Sequence, residues 1–276
     1  REFESPQWLH SLERPRWVPR VMDVGDAAGN PMIRNALGDS FPASPEVTLR
    51  LCRESGIDEY SHVLHLGAGV GTVCQLLIEK FGCRATGVVV VEPFLQHCTY
   101  ENERVQYVHS KMNEPPFEPG TFTHVLIECR CVIQRDLESV FSAAKLMLAP
   151  GGQLIVNEPV MAPSSSLPKL IGRMVGETRI QEVVYQRTAL EVGIEMSTAG
   201  FEMIHSQSEP EVTERLLIKL NQVSMLLKMA LRFSSFDPKS EAFPFTKKDL
   251  LKAFDELRKA LDDETFGWHS WRATPI

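Results

Sequence analysis

A short apolar run followed at once by closely spaced glycines constrains the fold of this chain more than any other feature. Residues 62–66 (HVLHL) have the character of a buried strand, and Gly67, Gly69 and Gly71 come directly after them. Glycines in this spacing let the backbone turn tightly and approach another group closely, where a Cβ atom would clash. The residues after the turn predict a helix over 72–81. The stretch therefore predicts a strand, a glycine turn and a helix, as found in α/β folds.

The glycine spacing also discriminates between cofactors. A dinucleotide fingerprint has the form G-x-G-x-x-G/A, and its last position here is Thr72. The run found, G-x-G-x-G, resembles the first motif of class I S-adenosylmethionine (SAM) dependent methyltransferases. Residues 81–88 (FGCRATGV) resemble the second strand of that family, and residues 148–156 (LAPGGQLIV) resemble the turn that opens its fifth strand. The resemblance covers residues 46–205 and implies the cofactor SAM.

Apolar runs alternate with helical patterns along this region. Several runs are continuously apolar, which is typical of a parallel sheet covered by helices on both faces. Strands are expected over 62–66, 85–91, 105–109, 123–128, 153–157, 201–206 and 265–273, and core helices over 45–56, 72–81, 136–148 and 183–199. The resemblance implies an α/β, Rossmann-like, seven-stranded methyltransferase fold, with the last strand entering antiparallel at the edge of the sheet.

Two segments exceed a minimal domain of this kind. The expected organisation is an N-terminal arm (1–43), a methyltransferase-like core (44–206), a helical cap insertion (207–264) and the last core strand (265–276). The arm is rich in Pro, Trp, Gly and Asn, and it suits a lid over an active site as well as a structural clasp. The cap contains an amphipathic pattern near 211–233 and a second helix that Thr246 and Asp249 open.

Composition narrows the function. A net charge of −7 argues against a nucleic-acid surface, which needs clustered Lys and Arg. No apolar run approaches the roughly 18–20 residues that span a bilayer. The six cysteines form no disulfide framework and no zinc-spaced ligand set, which favours a reduced, cytoplasmic protein without a metal. The expected partners are a small-molecule substrate and, as one option, a second copy of the chain.

The chain departs from the family pattern at the acids that hold the cofactor. The acid before the first glycine is replaced by His65, the acid ending strand two by Val89, the acid after strand three by Ser110 or Lys111, and the acid opening strand four by Thr123. A hydrogen bond to a charged group contributes roughly 1.5–3 kcal/mol, and about 1.4 kcal/mol is tenfold in affinity. Losing several such contacts predicts a weak or lost SAM site. Glu92 would replace the acid at Val89 if strand two ran further.

The candidate residues follow from the strand ends and from the resemblance. Glu128 and Glu158 follow strands four and five, where either would act as a base or balance positive charge. His65 titrates near neutrality when unperturbed, and would serve as a donor or base. Weaker candidates are His124, Cys129 and Tyr185. The resemblance implies cofactor contacts at Gly67, Ala68, Gly69, Gly71, Val89, Glu92, Lys111, Met112 and Glu128.

Each catalytic candidate also has a structural interpretation. Glu128 would otherwise cap the next helix, Glu158 would pair with Arg173 or Arg179, and His65 would be a buried histidine bonded to backbone. At the level of function, the first hypothesis is a SAM-dependent methyltransferase acting on a small, partly apolar molecule. The alternatives are an enzyme of the same fold that catalyses cyclisation or isomerisation without methyl transfer, and a catalytically silent binding subunit.

Overall fold

A computed structural model describes residues 44–90, 92–98, 103–131, 134–166, 186–233 and 246–276. The expected N-terminal arm and Tyr185 lie outside these ranges. The strands are β1 His62–Leu66, β2 Arg84–Val89, β3 Val105–His109, β4 Phe122–Glu128, β5 Leu148–Met161, β6 Phe201–Ser208 and β7 Phe266–Pro275. The helices are α1 Pro45–Glu54, α2 Thr72–Phe81, α3 Glu92–Leu95, α4 Leu137–Met147, α5 Ala189–Thr198, α6 Pro210–Phe233 and α7 Lys247–Asp262.

The strands form one sheet in the order β3-β2-β1-β4-β5-β7-β6, which confirms the expected seven-stranded fold. Strands β1 to β5 pair in parallel, so their carboxyl ends meet at one edge of the sheet. The order reverses between β1 and β4, and open α/β sheets bind ligands at the edge beside such a switch point. Strand β7 runs antiparallel between β5 and β6. The expectation that the last strand lies at the edge is therefore wrong, because β6 covers it.

Most element bounds follow the sequence pattern, and the exceptions have physical reasons. The expected bounds of β1, β3 and α2 are confirmed residue for residue. Strand β5 is much longer than expected, because its pairing with β7 continues to Met161 opposite Phe266. Helix α5 begins at Ala189, where Thr188 and Glu191 form a capping box. A second capping box at Thr246 opens α7 as expected.

The two faces of the sheet are covered by separate hydrophobic clusters, which explains the continuously apolar strands. In β4, Val125 and Ile127 pack on one face, in the cluster with α4 and α5. Leu126 packs on the other face, with residues of α1 and α2. Because side chains alternate along a strand, Glu128 continues the face of Leu126. Among the helices of the described ranges, none combines the length and hydropathy that crossing a bilayer needs.

Candidate functional site

The glycine turn after β1 forms the centre of the carboxyl edge. Gly67, Gly69 and Gly71 have φ angles of 81°, 57° and 84°, in the left-handed region that glycine adopts without steric cost. The backbone N–H groups of Gly67 and Ala68 both donate to the carbonyl of Val88, at 3.0 and 2.8 Å. These bonds tie the turn to the end of β2, so the loop occupies the position expected for a cofactor cradle.

The side chain of Arg130 lies against this cradle. A Cβ atom added to Gly67 would lie 2.5 Å from Cγ of Arg130, and one added to Gly69 would lie 3.2 Å from its Nη2. The Nε–H of Arg130 donates to the carbonyl of Gly67 at 2.8 Å. The close approach that requires glycine at these two positions is thus made by a side chain of the protein. No motif in the sequence singled out Arg130, which follows β4 by two residues.

Tyr107 packs on the other end of the turn. Its hydroxyl donates to the carbonyl of Gly71 at 3.1 Å, and its ring occupies the space that a side chain at Gly87 would need. Burial raises the pKa of Tyr107 above its usual range, so the hydroxyl stays protonated and remains a donor. Gly87 and Tyr107 are direct neighbours across β2 and β3. The signal for this contact, a glycine opposite an aromatic residue, becomes visible only once the strand register is known.

Glu128 is buried at the end of β4 and is held by two neighbours. Its Oε1 accepts from the hydroxyl of Thr48 on α1 at 2.6 Å and from the side-chain amide of Asn157 on β5 at 3.2 Å. Its Oε2 has no hydrogen-bond partner among the described residues. Burial raises the pKa of Glu128, although both hydrogen bonds oppose the change. The interpretation of Glu128 as a helix cap is wrong, because Asp136 caps α4.

Glu158 lies on the opposite face, in β5, and is fully buried. Its Oε1 accepts from the backbone N–H of Arg130 at 2.7 Å, while its Oε2 has no partner among the described residues. Burial raises the pKa of Glu158 to about 7, although the nearby backbone of Arg130 and the backbone and thiol of Cys131 act to lower it. The alternative partners Arg173 and Arg179 lie outside the described residues. The structure therefore presents a buried carboxyl that changes charge near neutrality.

A turn after β4 connects Glu128 and Glu158 to the cradle. Cys129 has a φ of 54°, a left-handed conformation that is uncommon for a residue other than glycine. Before this turn, Glu128 is bonded to Thr48 of α1. After it, the backbone N–H of Arg130 donates to Glu158, and the side chain of Arg130 donates to the carbonyl of Gly67. Cys129 acts here through its backbone conformation, which brings the two acids and the cation to one edge.

His65 is buried in β1, and the expectation that it titrates near neutrality is wrong. Burial, together with the charge of Arg130, lowers the pKa of its imidazole to about 3. Its Nδ1 lies 3.9 Å from Sγ of Cys74, and its Nε2 has no hydrogen-bond partner in the described part of the chain. The histidine is therefore a neutral group beneath the glycine turn, which removes the physical basis for a base at this position.

The remaining candidates do not replace the missing cofactor acids. Strand β2 ends at Val89, whose side chain is fully buried. Glu92 is exposed at the start of α3. The expectation that a longer β2 brings Glu92 into position is therefore wrong. Lys111 forms an exposed ion pair with Glu114 at 3.1 Å. Met112 is buried, and His124 bonds the backbone of Ser55.

These residues fit one part of SAM better than the rest. The glycine cradle, the guanidinium of Arg130 and two buried carboxyls suit a ligand that carries a carboxylate at one end and a positive charge further along. The acid that normally binds the ribose hydroxyls is replaced by the apolar Val89. Among the described residues, the arrangement therefore suits the amino-acid end of the cofactor, and Val89 provides no acid for its ribose.

Part of the chain is similar to known methyltransferases. A family model described as a methyltransferase domain matches residues 63–152. The sarcosine/dimethylglycine N-methyltransferase of Halorhodospira halochloris is 25% identical over 171 residues, which cover 59% of this chain and 61% of the relative. The chain thus spans about three-fifths of the length of that curated relative.

Two solved structures share the fold. Phosphoethanolamine N-methyltransferase 2 of Haemonchus contortus, in complex with SAM, has a TM-score of 0.71 and 18% identity, covering 93% of this chain and 58% of that protein. The cyclase SpnF has a TM-score of 0.64 and 17% identity, covering 84% of this chain and 82% of that one. At these identities the likeness concerns the fold alone.

Proposed function

Since the chain belongs to the class I SAM-dependent methyltransferase superfamily, we propose that it transfers a methyl group from SAM to a small, partly apolar molecule. One observation carries the proposal. Glu128 ends β4, and Glu158 lies in the neighbouring parallel strand β5, one residue past its pairing with β4. Both are buried, and each has one oxygen without a partner among the described residues. Buried carboxyls with a free oxygen are suited to accept a proton or to balance a positive charge.

The cofactor would be held by the turn from Gly67 to Gly71 and by Arg130. When bound, SAM supplies an electrophilic methyl group on a positively charged sulfur. Transfer of such a group depends mainly on alignment with the acceptor atom, so the contribution of the protein is positioning and electrostatics. Glu128 is oriented by Thr48 and Asn157, and its free Oε2 is available to orient an acceptor or to balance charge.

We assign the role of base to Glu158. Because its pKa is about 7, a substantial fraction of this carboxyl is ionised at neutral pH and ready to take a proton. The proton from an acceptor N–H or O–H would go to Oε2, since Oε1 already accepts from the backbone of Arg130. His65 takes no part in proton transfer in this proposal, because its imidazole is neutral and fully enclosed.

We assign a nitrogen atom as the acceptor, as in two of the similar proteins. The curated relative is named for sarcosine and dimethylglycine, and the solved structure for phosphoethanolamine. An amine is protonated at neutral pH and must lose a proton before it attacks a methyl group. A buried base with a pKa near 7 suits that step, and two carboxyls suit a substrate that arrives with a positive charge.

The proposal is tested by following the formation of S-adenosylhomocysteine (SAH) from SAM with sarcosine, dimethylglycine and phosphoethanolamine as acceptors. We expect kcat/KM to rise with pH up to about 7, as Glu158 loses its proton. Glu158→Gln should lower kcat by about 10²–10⁴-fold and abolish this pH dependence. Glu138→Gln, which changes an exposed carboxyl on α4, is the matched control and should leave both kcat and its pH dependence unchanged.

Calorimetric titration of SAM and SAH gives a readout that needs no acceptor. No binding of either ligand at millimolar concentration would remove the proposal.

Stability provides a second measure of the same carboxyl. Burial raises its pKa from about 4.5 to about 7, so the folded state favours the protonated form, and its contribution to stability is lost as pH rises between these values. We therefore expect Glu158→Gln to gain stability over the wild type between pH 5 and pH 8, by at most about 3 kcal/mol. Urea denaturation at both pH values measures this difference. A constant difference would mean that Glu158 is not perturbed.

A cyclase or isomerase of the same fold is the second candidate. Two observations favour it. Val89 at the end of β2 and Lys111 after β3 stand where the family has acids that bind the cofactor. The side chain of Arg130 also lies against the cradle. SpnF, which has the same fold, is named as a cyclase. The two candidates differ in whether SAM is consumed, so turnover of a substrate without formation of SAH would favour the second.

A further inference from the structure

We propose that Arg130 binds the carboxylate at the amino-acid end of the cofactor, so that this chain holds its cofactor mainly by a cation. The inference rests on the proposed function, since it assumes that the cradle takes a SAM-type ligand. It goes further by naming the residue and the charge that determine affinity. The family pattern of glycines and acids does not point to this residue; the three-dimensional contacts do.

The first argument is the state of the guanidinium group. Its stem lies over Gly67, and its Nε–H is bonded to the carbonyl of that residue at 2.8 Å. Neither terminal nitrogen has a hydrogen-bond or ion-pair partner among the residues that the structure describes. The buried acid Glu158 accepts from the backbone N–H of Arg130. The two terminal nitrogens are therefore available, and a guanidinium offers them as a fork that matches a carboxylate.

The second argument is the helix that begins at the cradle. Helix α2 starts at Thr72, and its N-cap residue, Gly71, provides no side-chain hydrogen bond to the first turn. The N–H groups of a first helical turn, together with the helix dipole, favour an anion. The Nη2 atom of Arg130 lies beside Gly69, two residues before that N-cap. A cation and a helix N-terminus thus meet along one glycine turn, and each favours the same charge.

The third argument is the absence of competing acids at the family positions around the cradle. His65 is neutral, Val89 is apolar, and Lys111 is itself a cation that pairs with Glu114. In a cradle with acids at these places, an arginine would pair with one of them. Here none of these positions carries an acid, so an anionic ligand can supply the partner. Of the charged groups in SAM and SAH, only the carboxylate is an anion.

The consequence is a particular order of ligand affinities. 5′-Methylthioadenosine keeps the adenine, ribose and thioether of SAH and lacks its carboxylate and ammonium. In the described residues, Val89 stands where the family has the acid that binds the ribose hydroxyls. The nucleoside part alone should therefore bind weakly. The proposal therefore predicts that SAH binds at least about a hundredfold more tightly than 5′-methylthioadenosine.

The test is calorimetric titration of both ligands into the full chain and into Arg130→Met. Methionine keeps the apolar stem over Gly67 and removes the charge. We expect the variant to bind SAH about tenfold to a hundredfold more weakly, and to bind 5′-methylthioadenosine as the wild type does. Arg130→Lys should recover part of the loss, since it restores the charge without the fork. Arg135→Met removes an exposed cation five residues further on and should change neither affinity.

Two results would overturn the inference while leaving the proposed function in place. Unchanged SAH affinity in Arg130→Met would mean that the guanidinium does not contact the ligand. Tighter SAH binding would mean that Arg130 obstructs the cradle and has to move before a cofactor enters. Failure of the proposed function gives a different pattern, in which neither SAH nor SAM binds the wild-type protein. Thermal unfolding of each variant without ligand establishes that it is folded.

Discussion

Gly67 and Gly56 have nearly the same backbone conformation in different surroundings. Their φ angles are 81° and 79°, and both lie in the left-handed region. A Cβ atom at Gly56 would meet nothing within 4 Å, whereas one at Gly67 would lie 2.5 Å from Arg130. The pair separates two reasons for a glycine, the conformation of the backbone and the close approach of a neighbour.

We expect Gly56→Ala to lower the free energy of unfolding by about 1–2 kcal/mol, the cost of a left-handed conformation for a residue with a Cβ atom. Gly67→Ala should cost about 2–4 kcal/mol, because the clash with Arg130 adds to that strain. Urea denaturation of both variants measures the difference. In an Arg130→Ala background the two substitutions should become alike, and a difference that persists would locate the clash elsewhere.

An ion pair with a buried carboxylate connects α1 to the far side of the sheet. Arg50 of α1 contacts Glu209, just after β6, at 2.6 Å, and Ser270 of β7 donates to the same carboxylate at 2.5 Å. Burial acts to raise the pKa of Glu209, but the hydrogen bonds from Ser270, Arg50 and Gln207 outweigh it and hold the value below its usual range. This contact matters for the site because α1 also supplies Thr48 to Glu128.

Glu209→Gln is expected to destabilise the fold by about 1.5–3 kcal/mol at pH 7, since it removes the closest of the three carboxylates around Arg50. A carboxyl whose pKa is lowered in the folded state contributes stability above its unfolded pKa and loses it as pH falls through the folded value. The difference from the wild type should therefore shrink as pH falls below 4.5, the ordinary pKa of a glutamate. Denaturant unfolding at pH 7 and at about pH 3 measures it.

Glu46→Gln is the matched control for that prediction. Glu46 of α1 pairs with Arg215 of α6, and their side chains are 2.9 Å apart. The side chain of Glu46 is 79% exposed. Exposed pairs contribute about 1 kcal/mol or less, so this variant should stay close to the wild type. An equal loss in both variants would argue against a special role of the buried pair.

At the scale of the whole molecule, β7 joins the parallel part of the sheet to its edge. Trp271 is among the largest fully buried side chains and lies opposite Val156 of β5 and Ser206 of β6. It belongs to the hydrophobic cluster that also contains residues of β1, β4, α4 and α5. A residue close to the end of the chain thus completes a core that begins near residue 64.

Trp271→Ala should therefore lower the free energy of unfolding by about 3–5 kcal/mol, through lost burial and the cavity left behind. Trp271→Phe should cost less, because the ring fills part of that space. Tyr60→Ala removes an aromatic side chain that is 80% exposed and should change stability by less than about 0.5 kcal/mol. Urea unfolding compares all three, and a small effect of Trp271→Ala would mean that the core relaxes around the loss.

The sequence by itself determined the local structure of this protein. The continuous apolar run of β1, the spaced glycines and the capping box at Thr246 act over a few residues, so their meaning can be seen without the fold. The same holds for the missing acids, since Val89 and Lys111 can be identified by alignment to a motif. These features specify the order of elements and the location of the site.

Only the tertiary structure decided the chemistry of that site. Burial lowers the pKa of His65 to about 3 and raises that of Glu158 to about 7, and both changes arise from groups that are distant in sequence. The approach of Arg130 to Gly67 spans 63 positions, and the contact of Thr48 with Glu128 spans 80. Charge and desolvation depend on distance in space, so no local pattern in the chain encodes them.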